Sequence, residues 1–354
     1  MSSSITKPRP TPNSTNSSAI PADRGFAAAL GIALAALALL AIVALAVGAY
    51  PLSLAEIARA LGLRAGPLSD AAQTVIWQIR GPRILGAMLV GAALSSSGAA
   101  YQGLFRNPLV SPDILGVAAG AALGAVLGIY LSLPVVAIEA ASFAGGLAAV
   151  VMVYGVAAGI SGRDPVLVLV LTGVVIGALL GSGVALLKYL ADPLNQLPAI
   201  TFWLLGSLAA FNRADLWVLA PTAIVAVVPL VLLRWRLDVM SLGEEEATAL
   251  GIDVRVVRGA VVVGATLMTA AAVSVSGVVG WVGLLVPHLA RLIVGPAFAR
   301  LLPMTLVLGA GFLLLVDTVA RTIGVVELPL GVLTAVIGTP VFLWLLARGR
   351  RGAW

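Results

Sequence analysis

The sequence contains no cysteine and a single histidine, and these absences exclude several kinds of site. Without cysteine the chain can form neither disulfides nor thiolate metal sites, and it has no thiol nucleophile. One histidine cannot form a multi-histidine metal site, so we expect no metal site and no cofactor. Charge is also scarce, because Asp, Glu, Lys and Arg make up only 10% of the 354 residues. In a typical soluble domain about a quarter of the residues are charged.

Apolar residues make up 60% of the chain, and the mean hydropathy is +1.10. They occur in runs of ~20 residues, the length that crosses a bilayer as a helix. The runs lack the strict alternation of a barrel strand, so we predict an all-α polytopic membrane protein with about ten transmembrane helices. The expected spans are 26–49, 83–105, 114–132, 136–158, 165–190, 214–233, 258–276, 279–294, 302–323 and 330–347. Residues 198–210 are apolar but short, which indicates an interfacial or re-entrant helix.

Residues 1–24 are rich in Ser, Pro, Thr and Asn, which is typical of a disordered tail, and 25–354 is predicted to be a single transmembrane domain. With both termini in the cytoplasm, 14 of the 21 lysines and arginines lie on the inner side. The positive-inside rule favours this orientation. The net charge of +6 therefore reflects topology, and we expect contact with membrane lipid but not with nucleic acid. The longest cytoplasmic loop is then about 234–258.

Five residues recur at an offset of 179 positions, about half the chain, which is compatible either with duplicated halves or with chance in a Gly/Ala/Ser-rich sequence. They are Ser95, Ser97, Gly98, Pro108 and Gly116, which recur as Ser274, Ser276, Gly277, Pro287 and Gly295.

The chain has no P-loop, because neither Lys7 nor Lys188 follows a glycine, so any ATPase must be a separate chain. An intramembrane serine hydrolase would use His288 as a base, but this histidine is more typical of a polar residue at a helix end. The candidate nucleophiles would be Ser97, Ser182 and Ser276.

An ion-coupled secondary transporter is a stronger rival, since ionisable residues fall in or near the spans. Asp317 and Arg321 are four residues apart and can pair on one helix face, as a structural ion pair or as a coupling site. The other candidates are Glu139 and Lys188.

The stretch SLGEEEATALG, 241–251, predicts one short helix in the 234–258 loop. Ser241 and Glu244 have the spacing of a capping box, the glutamates fall in the first turn, and Gly251 suits the C-terminal cap. Such a helix is either a docking element for a partner or an ordinary solvated helix within a loop.

The stretch 91–121 combines two glycine-rich segments with a polar break at Arg106-Asn107-Pro108 and a restart at Asp113. Small residues let helices approach closely in a membrane. The break suits a gate or hinge, and it also suits any tight turn.

With these stretches the sequence resembles the permease subunit of type II ABC importers, the iron-siderophore, haem and cobalamin (FecCD-like) family, from about 75 to 347. The matching stretches, in order, are WQIRGPR, QGLFRNPL, TFWLLGSL, SLGEEEATALGIDVR, VSVSGVVGWVGLLVPHLARLIVG, VDTVAR and ELPLGVLTAVIGTPVFLWLL.

The resemblance implies roles for individual residues. The ATPase-coupling motif falls on Gly243, Glu244, Glu245 and Gly251. The binding protein would dock on Arg80, Arg83 and Arg321, and the cytoplasmic gate would be formed by Asn107 and Leu109. Gly81 stands where the family usually has leucine, which should loosen the turn that presents Arg80. Tyr101, Gln102 and Trp203 could touch cargo or could simply pack.

The resemblance also implies an assembly in a bacterial inner membrane. The chain would form a homodimer with two ABC ATPase subunits and a periplasmic or lipoprotein binding protein, and it would have no catalytic residues. Its cargo would be a metal chelate (an Fe(III)-siderophore, haem or cobalamin). An oxyanion such as molybdate is the alternative within the same architecture.

Overall fold

The structure is a computed structural model that describes residues 21–160, 165–324 and 326–348, and within them it is helical, with no strand. Its elements are α1 Pro21–Ala46, α2 Leu54–Ala60, α3 Asp70–Thr74, a π-helical turn Val75–Arg80, α4 Gly81–Leu104, α5 Val117–Tyr130, α6 Val135–Ala158, α7 Pro165–Leu190, α8 Gln196–Leu205, α9 Arg213–Leu232, α10 Arg234–Met240, α11 Glu244–Ala249, α12 Val254–Ser276, α13 Val282–Val294, α14 Phe298–Ala320 and α15 Leu330–Arg348.

Every expected span coincides with one of these helices, and the predicted fold class is confirmed. In the described part, seven helices are long and apolar enough to cross a membrane; α5, α13 and α15 are apolar but shorter. The short helix expected at 198–210 is α8. The predicted tail lies mostly outside the described residues, but its last four residues already belong to α1.

Helix α4 lies at the centre of the bundle, where it packs against α12, α13 and α14. The contacts are close because glycines face each other. A Cβ on Gly98 would lie 1.9 Å from the Gly283 carbonyl oxygen, and one on Gly91 would lie 2.2 Å from the Gly309 oxygen. The small residues therefore allow backbone-to-backbone packing, as expected from the sequence.

Hydroxyl groups bind these helices together. Ser97 Oγ donates to the Ala265 carbonyl at 2.9 Å and lies 2.7 Å from Thr269 Oγ1. Ser95 Oγ donates to the Thr305 carbonyl at 3.0 Å. Such bonds satisfy buried polar groups across a helix interface, so Ser97 is a packing residue.

The other two candidate nucleophiles bond to their own helices. Ser182 Oγ donates to the Ala178 carbonyl at 3.0 Å and Ser276 Oγ to the Ala272 carbonyl at 2.8 Å. Both are the i−4 bonds that serines commonly make inside helices. They do not support the hydrolase interpretation.

The offset of 179 positions is not a structural repeat in this register. Gly116 precedes α5 whereas Gly295 follows α13. Gly98 lies inside α4, whereas its counterpart Gly277 follows the end of α12. Equivalent halves would place matched residues at matched points of their helices.

Candidate functional site

The first candidate site is the segment 234–251, here called the coupling segment, which consists of α10, α11 and the turn between them. The predicted capping box is wrong. Ser241 ends α10, and its hydroxyl donates to the Asp238 carbonyl at 2.6 Å. Gly243 is the N-cap of α11 instead, with φ of 150°, a conformation that glycine adopts readily.

The predicted end of α11 is confirmed. Gly251 has φ of +79°, its N–H donates to the Thr248 carbonyl at 2.9 Å, and the Ile252 N–H donates to the Ala247 carbonyl at 3.0 Å. These two bonds form a Schellman motif. Ala247 is fully buried, so α11 is docked on the bundle.

Two polar contacts tie the coupling segment to the long helices. Glu244 forms an ion pair with Arg258 of α12. Asp238 Oδ1 accepts the backbone N–H of Phe298, at the start of α14, at 2.5 Å. A force on this segment would therefore reach α12 and α14 through direct contacts.

The outward surface of the coupling segment is both acidic and apolar. Glu245 and Glu246 are exposed, and Leu242 and Leu250 are 67% and 61% exposed. A protein partner could bury the leucines and pair with the carboxylates.

The second candidate site, the proposed gate, is the turn after α4. Arg106 has φ of +48°, in the left-handed region that non-glycine residues rarely occupy. Asn107 Oδ1 accepts the Leu109 N–H at 2.9 Å, and the Asn107 N–H donates to the Gln102 carbonyl at 3.1 Å. Leu109 is 53% exposed. The turn is thus fixed by its own bonds, and the gating roles of Asn107 and Leu109 stay predictions.

Two of the residues considered for cargo contact are core residues. Tyr101 is fully buried, with its hydroxyl 3.0 Å from Thr266 Oγ1. Gln102 is 2% exposed, and its Nε2 donates to the carbonyls of Val110 and Gly283 at 3.2 and 3.3 Å. Trp203 is partly buried on α8, against the core.

At the opposite end of the bundle lies a cluster of buried charges. Arg83 of α4 donates from Nε and Nη2 to Asp317 Oδ1 at 3.0 and 2.9 Å. Its Nη1 and Nη2 each donate to a carboxylate oxygen of Glu327 at 2.8 Å. The Arg83 and Asp317 side chains are 11% and 0% exposed. Arg321 Nε lies 3.9 Å from Asp317 Oδ2, so the expected pair does form, although Arg83 is the nearer partner.

Arg80 and the same Arg321 hold the end of α1. Arg80 donates to the carbonyls of Leu45 and Tyr50, both at 2.6 Å. Arg321 donates to the carbonyls of Val47, at 2.7 Å, and Ala44. These guanidinium groups satisfy carbonyls that the end of a helix leaves without partners.

Gly81, the departure from the family pattern, allows the unusual turn before α4. Its N–H bonds to the Ile76 carbonyl, five residues back, which is the π-helical pattern. A Cβ at Gly81 would lie 2.5 Å from that carbonyl oxygen, so a leucine would collide with it. The glycine therefore widens the turn, which ends in a buried Arg80.

The three predicted docking arginines thus come together, but their guanidinium groups bond within the chain. Docking stays a prediction. The sequence interpretation missed Glu327, although it lies in the quoted ELPLG stretch, because the pairing of Glu327 with Arg83 joins residues 244 positions apart. Glu139 and Lys188 are partly buried on α6 and α7.

Comparisons with known proteins settle the family. The model of the FecCD transport family matches residues 36–348. The chain belongs to this family. The molybdate import system permease protein MolB of Haemophilus influenzae is 39% identical over 318 residues, which is 89% of this chain and 94% of that protein. The cobalamin import system permease protein BtuC of Halobacterium salinarum is 39% identical over 300 residues, 84% of this chain and 80% of that protein.

A solved structure shares the fold. It is described as an inward-facing conformation of an ABC transporter assigned to the metal-chelate type. It superposes with a TM-score of 0.83 at 37% identity and covers 90% of this chain and 98% of that chain. The protein is therefore a multi-pass membrane permease of the ABC importers and not itself an enzyme, and family membership sets aside the ion-coupled secondary transporter. An ABC permease implies ATPase and binding-protein partners.

Proposed function

We propose that this chain, as a homodimer, imports a metal chelate (an Fe(III)-siderophore, haem or cobalamin) from a periplasmic or lipoprotein binding protein into the cytoplasm. Two ABC ATPase subunits would drive the transport. The likeness to a metal-chelate type transporter and to a cobalamin permease supports this cargo class. The likeness to a molybdate permease keeps an oxyanion as the second candidate.

The observation that carries the proposal is the attachment of the coupling segment. Its exposed face offers carboxylates and leucines to a partner, while its inner side is bonded to α12 and α14. Closure of the ATPases would push this segment, and the contacts of Glu244 and Asp238 would pass the displacement into helices that cross the membrane.

The gate and the binding-protein face would lie at opposite ends. Asn107 and Leu109 would close the cytoplasmic end, and the end with Arg80, Arg83 and Arg321 would face the binding protein. The basic residues favour both termini in the cytoplasm of a bacterial inner membrane.

The first experiment is co-purification in mild detergent of the tagged chain, expressed with its neighbouring genes, followed by mass spectrometry and an ATPase assay. We expect a stoichiometric P-loop ATPase and stimulation by a binding protein, whose ligand identifies the cargo. A chain that transports alone, with no ATPase bound, would contradict the proposal.

A charge reversal tests the coupling segment. Glu245→Lys should weaken ATPase binding, because Glu245 is exposed on the docking face. Asp70→Lys makes the same charge change on exposed α3 and should leave binding unchanged. Glu244→Gln should keep the ATPase bound but reduce transport per ATP hydrolysed, since it breaks the link to Arg258. Unchanged transport in both glutamate variants would contradict a coupling role for this segment.

Charge reversal at Arg80 and Arg83 should weaken engagement of the binding protein, most visibly at low salt. Because both side chains are buried, thermal stability must be measured on the same sample. Full affinity for the binding protein in a folded variant would argue against docking by these residues.

A further inference from the structure

A cavity of about 650 Å³ lies between the turn after α4 and the coupling segment. Its walls come from the end of α4, the turn after it, α10, α13 and the start of α14. This volume suits a small organic ligand or a hydrated ion. The cavity touches both of the sites described above without being either of them.

The polar part of the cavity wall is cationic. Arg106 and Arg291 line it, with Asp238 as its carboxylate and His288 as a further polar group. Asp238 already accepts the Phe298 N–H at 2.5 Å. With histidine neutral, the lining carries one more positive than negative charge.

Both arginines lack a carboxylate partner among the described residues. In the described ranges, with their gaps at 161–164 and 325, the ion pairs involve Arg83, Arg258 and Arg321 only. Asp238 shares the cavity but is not within ion-pair distance of Arg106 or Arg291. Arg291 is partly buried, and a partly buried guanidinium without a carboxylate is costly unless an anion compensates it. Arg106 is exposed, so it adds a solvated positive charge to the cavity wall.

The Arg291 guanidinium is held in place by a neutral group. Its Nη1 donates to Gln102 Oε1 at 2.6 Å, and Gln102 is itself fixed by the carbonyls of Val110 and Gly283. A buried amide thus orients the arginine without neutralising its charge. Arg106 is placed by its left-handed backbone at φ of +48°, a conformation that tends to persist where function requires it.

The rest of the wall is apolar and includes Leu237, Leu292, Phe298 and Leu301. We propose that this cavity binds a small anion whose charge lies on oxyanion or carboxylate oxygens, with Arg106 and Arg291 as its ligands. Its position beside the gate makes it a site that senses an anion on the cytoplasmic side. Only that last statement rests on the proposed function, since binding itself depends on the cavity alone.

The test is isothermal titration of the purified chain, in nanodiscs of neutral lipid, with molybdate and with inorganic phosphate. We expect saturable binding that weakens as salt rises. Arg291→Gln and Arg106→Gln should each weaken it about tenfold or more, because each removes a charge-assisted hydrogen bond. Arg236→Gln is the matched control, because Arg236 is exposed on α10 and lies outside the cavity lining.

An anionic lipid headgroup carries the same oxygens, so native mass spectrometry in nanodiscs with and without anionic lipid forms the second arm. Retention of one lipid that Arg291→Gln abolishes and Arg236→Gln does not would assign the site to a lipid. No binding in either arm, or equal weakening in the control variant, would overturn the proposal. Transport failure with anion binding intact would contradict only the proposed function.

Discussion

The buried ion cluster gives the sharpest stability prediction, because Asp317 is fully buried and bonded to Arg83 by two short hydrogen bonds of 2.9 and 3.0 Å. Asp317→Asn keeps the shape of the side chain but removes its charge. Breaking one side of a buried pair costs about 3–5 kcal/mol. Glu327 still pairs with Arg83, so we expect the lower end of that range, about 3 kcal/mol.

Glu327→Gln is the matched comparison, since the same arginine loses a partner that is 38% exposed. Water can replace that contact, so the expected loss is about 1 kcal/mol. The assay is thermal or denaturant unfolding in one detergent, followed by tryptophan fluorescence from the seven tryptophans. If Asp317→Asn were no more destabilising than Glu327→Gln, burial would not govern the cluster and the reasoning would be refuted.

A double-mutant cycle separates the pair from its surroundings. Arg83→Gln combined with Asp317→Asn should lose clearly less stability than the sum of the single variants, because the double variant leaves no unpaired charge between them. Additive losses would mean that the two side chains contribute independently.

Two glycine substitutions test the close contacts. Gly98→Ala should lower stability by about 1–3 kcal/mol by forcing α4 away from a facing backbone oxygen 1.9 Å from the new Cβ, whereas Gly155→Ala, with nothing within 4 Å, should be neutral or stabilising. Gly48→Ala should destabilise more than Gly62→Ala in the same unfolding assay: both have positive φ, but only at Gly48 would the Cβ meet Arg80 Nη2, at 2.4 Å. Equal effects within either pair would contradict this packing.

The positions of the helices could be predicted because the physics behind them is local. The length of an apolar run predicts a membrane-spanning helix. A glycine after a short helix predicts where that helix ends, as at Gly251. The capping box at Ser241 failed for an equally local reason. The sequence does not show that α10 extends to Met240. Nor does it show that the Ser241 hydroxyl donates to the Asp238 carbonyl of that helix.

The charge partners could not be predicted because they are not local. Asp317 and Arg321 have helical spacing, so the sequence suggested that pair, yet the dominant partner of Asp317 is Arg83, 234 positions away. Likewise, the bonds of Arg80 to the end of α1 depend on a π-helical turn that Gly81 permits and that no periodicity indicates.

Helices α4 and α14 connect the two ends of the molecule. At one end Arg83 and Asp317 join them. At the other end Gln102 of α4 accepts a hydrogen bond from Arg291 of α13, and Asp238 of α10 accepts the N–H of the first residue of α14. Both helices also touch along their length where Gly91 faces Gly309. Tightly packed elements move as units and do not bend continuously. Docking at one end and ATPase motion at the other would therefore both act on α14, which packs against α4. A variant that loosens the glycine contact between these two helices should weaken the coupling of transport to ATP hydrolysis even where both partners still bind.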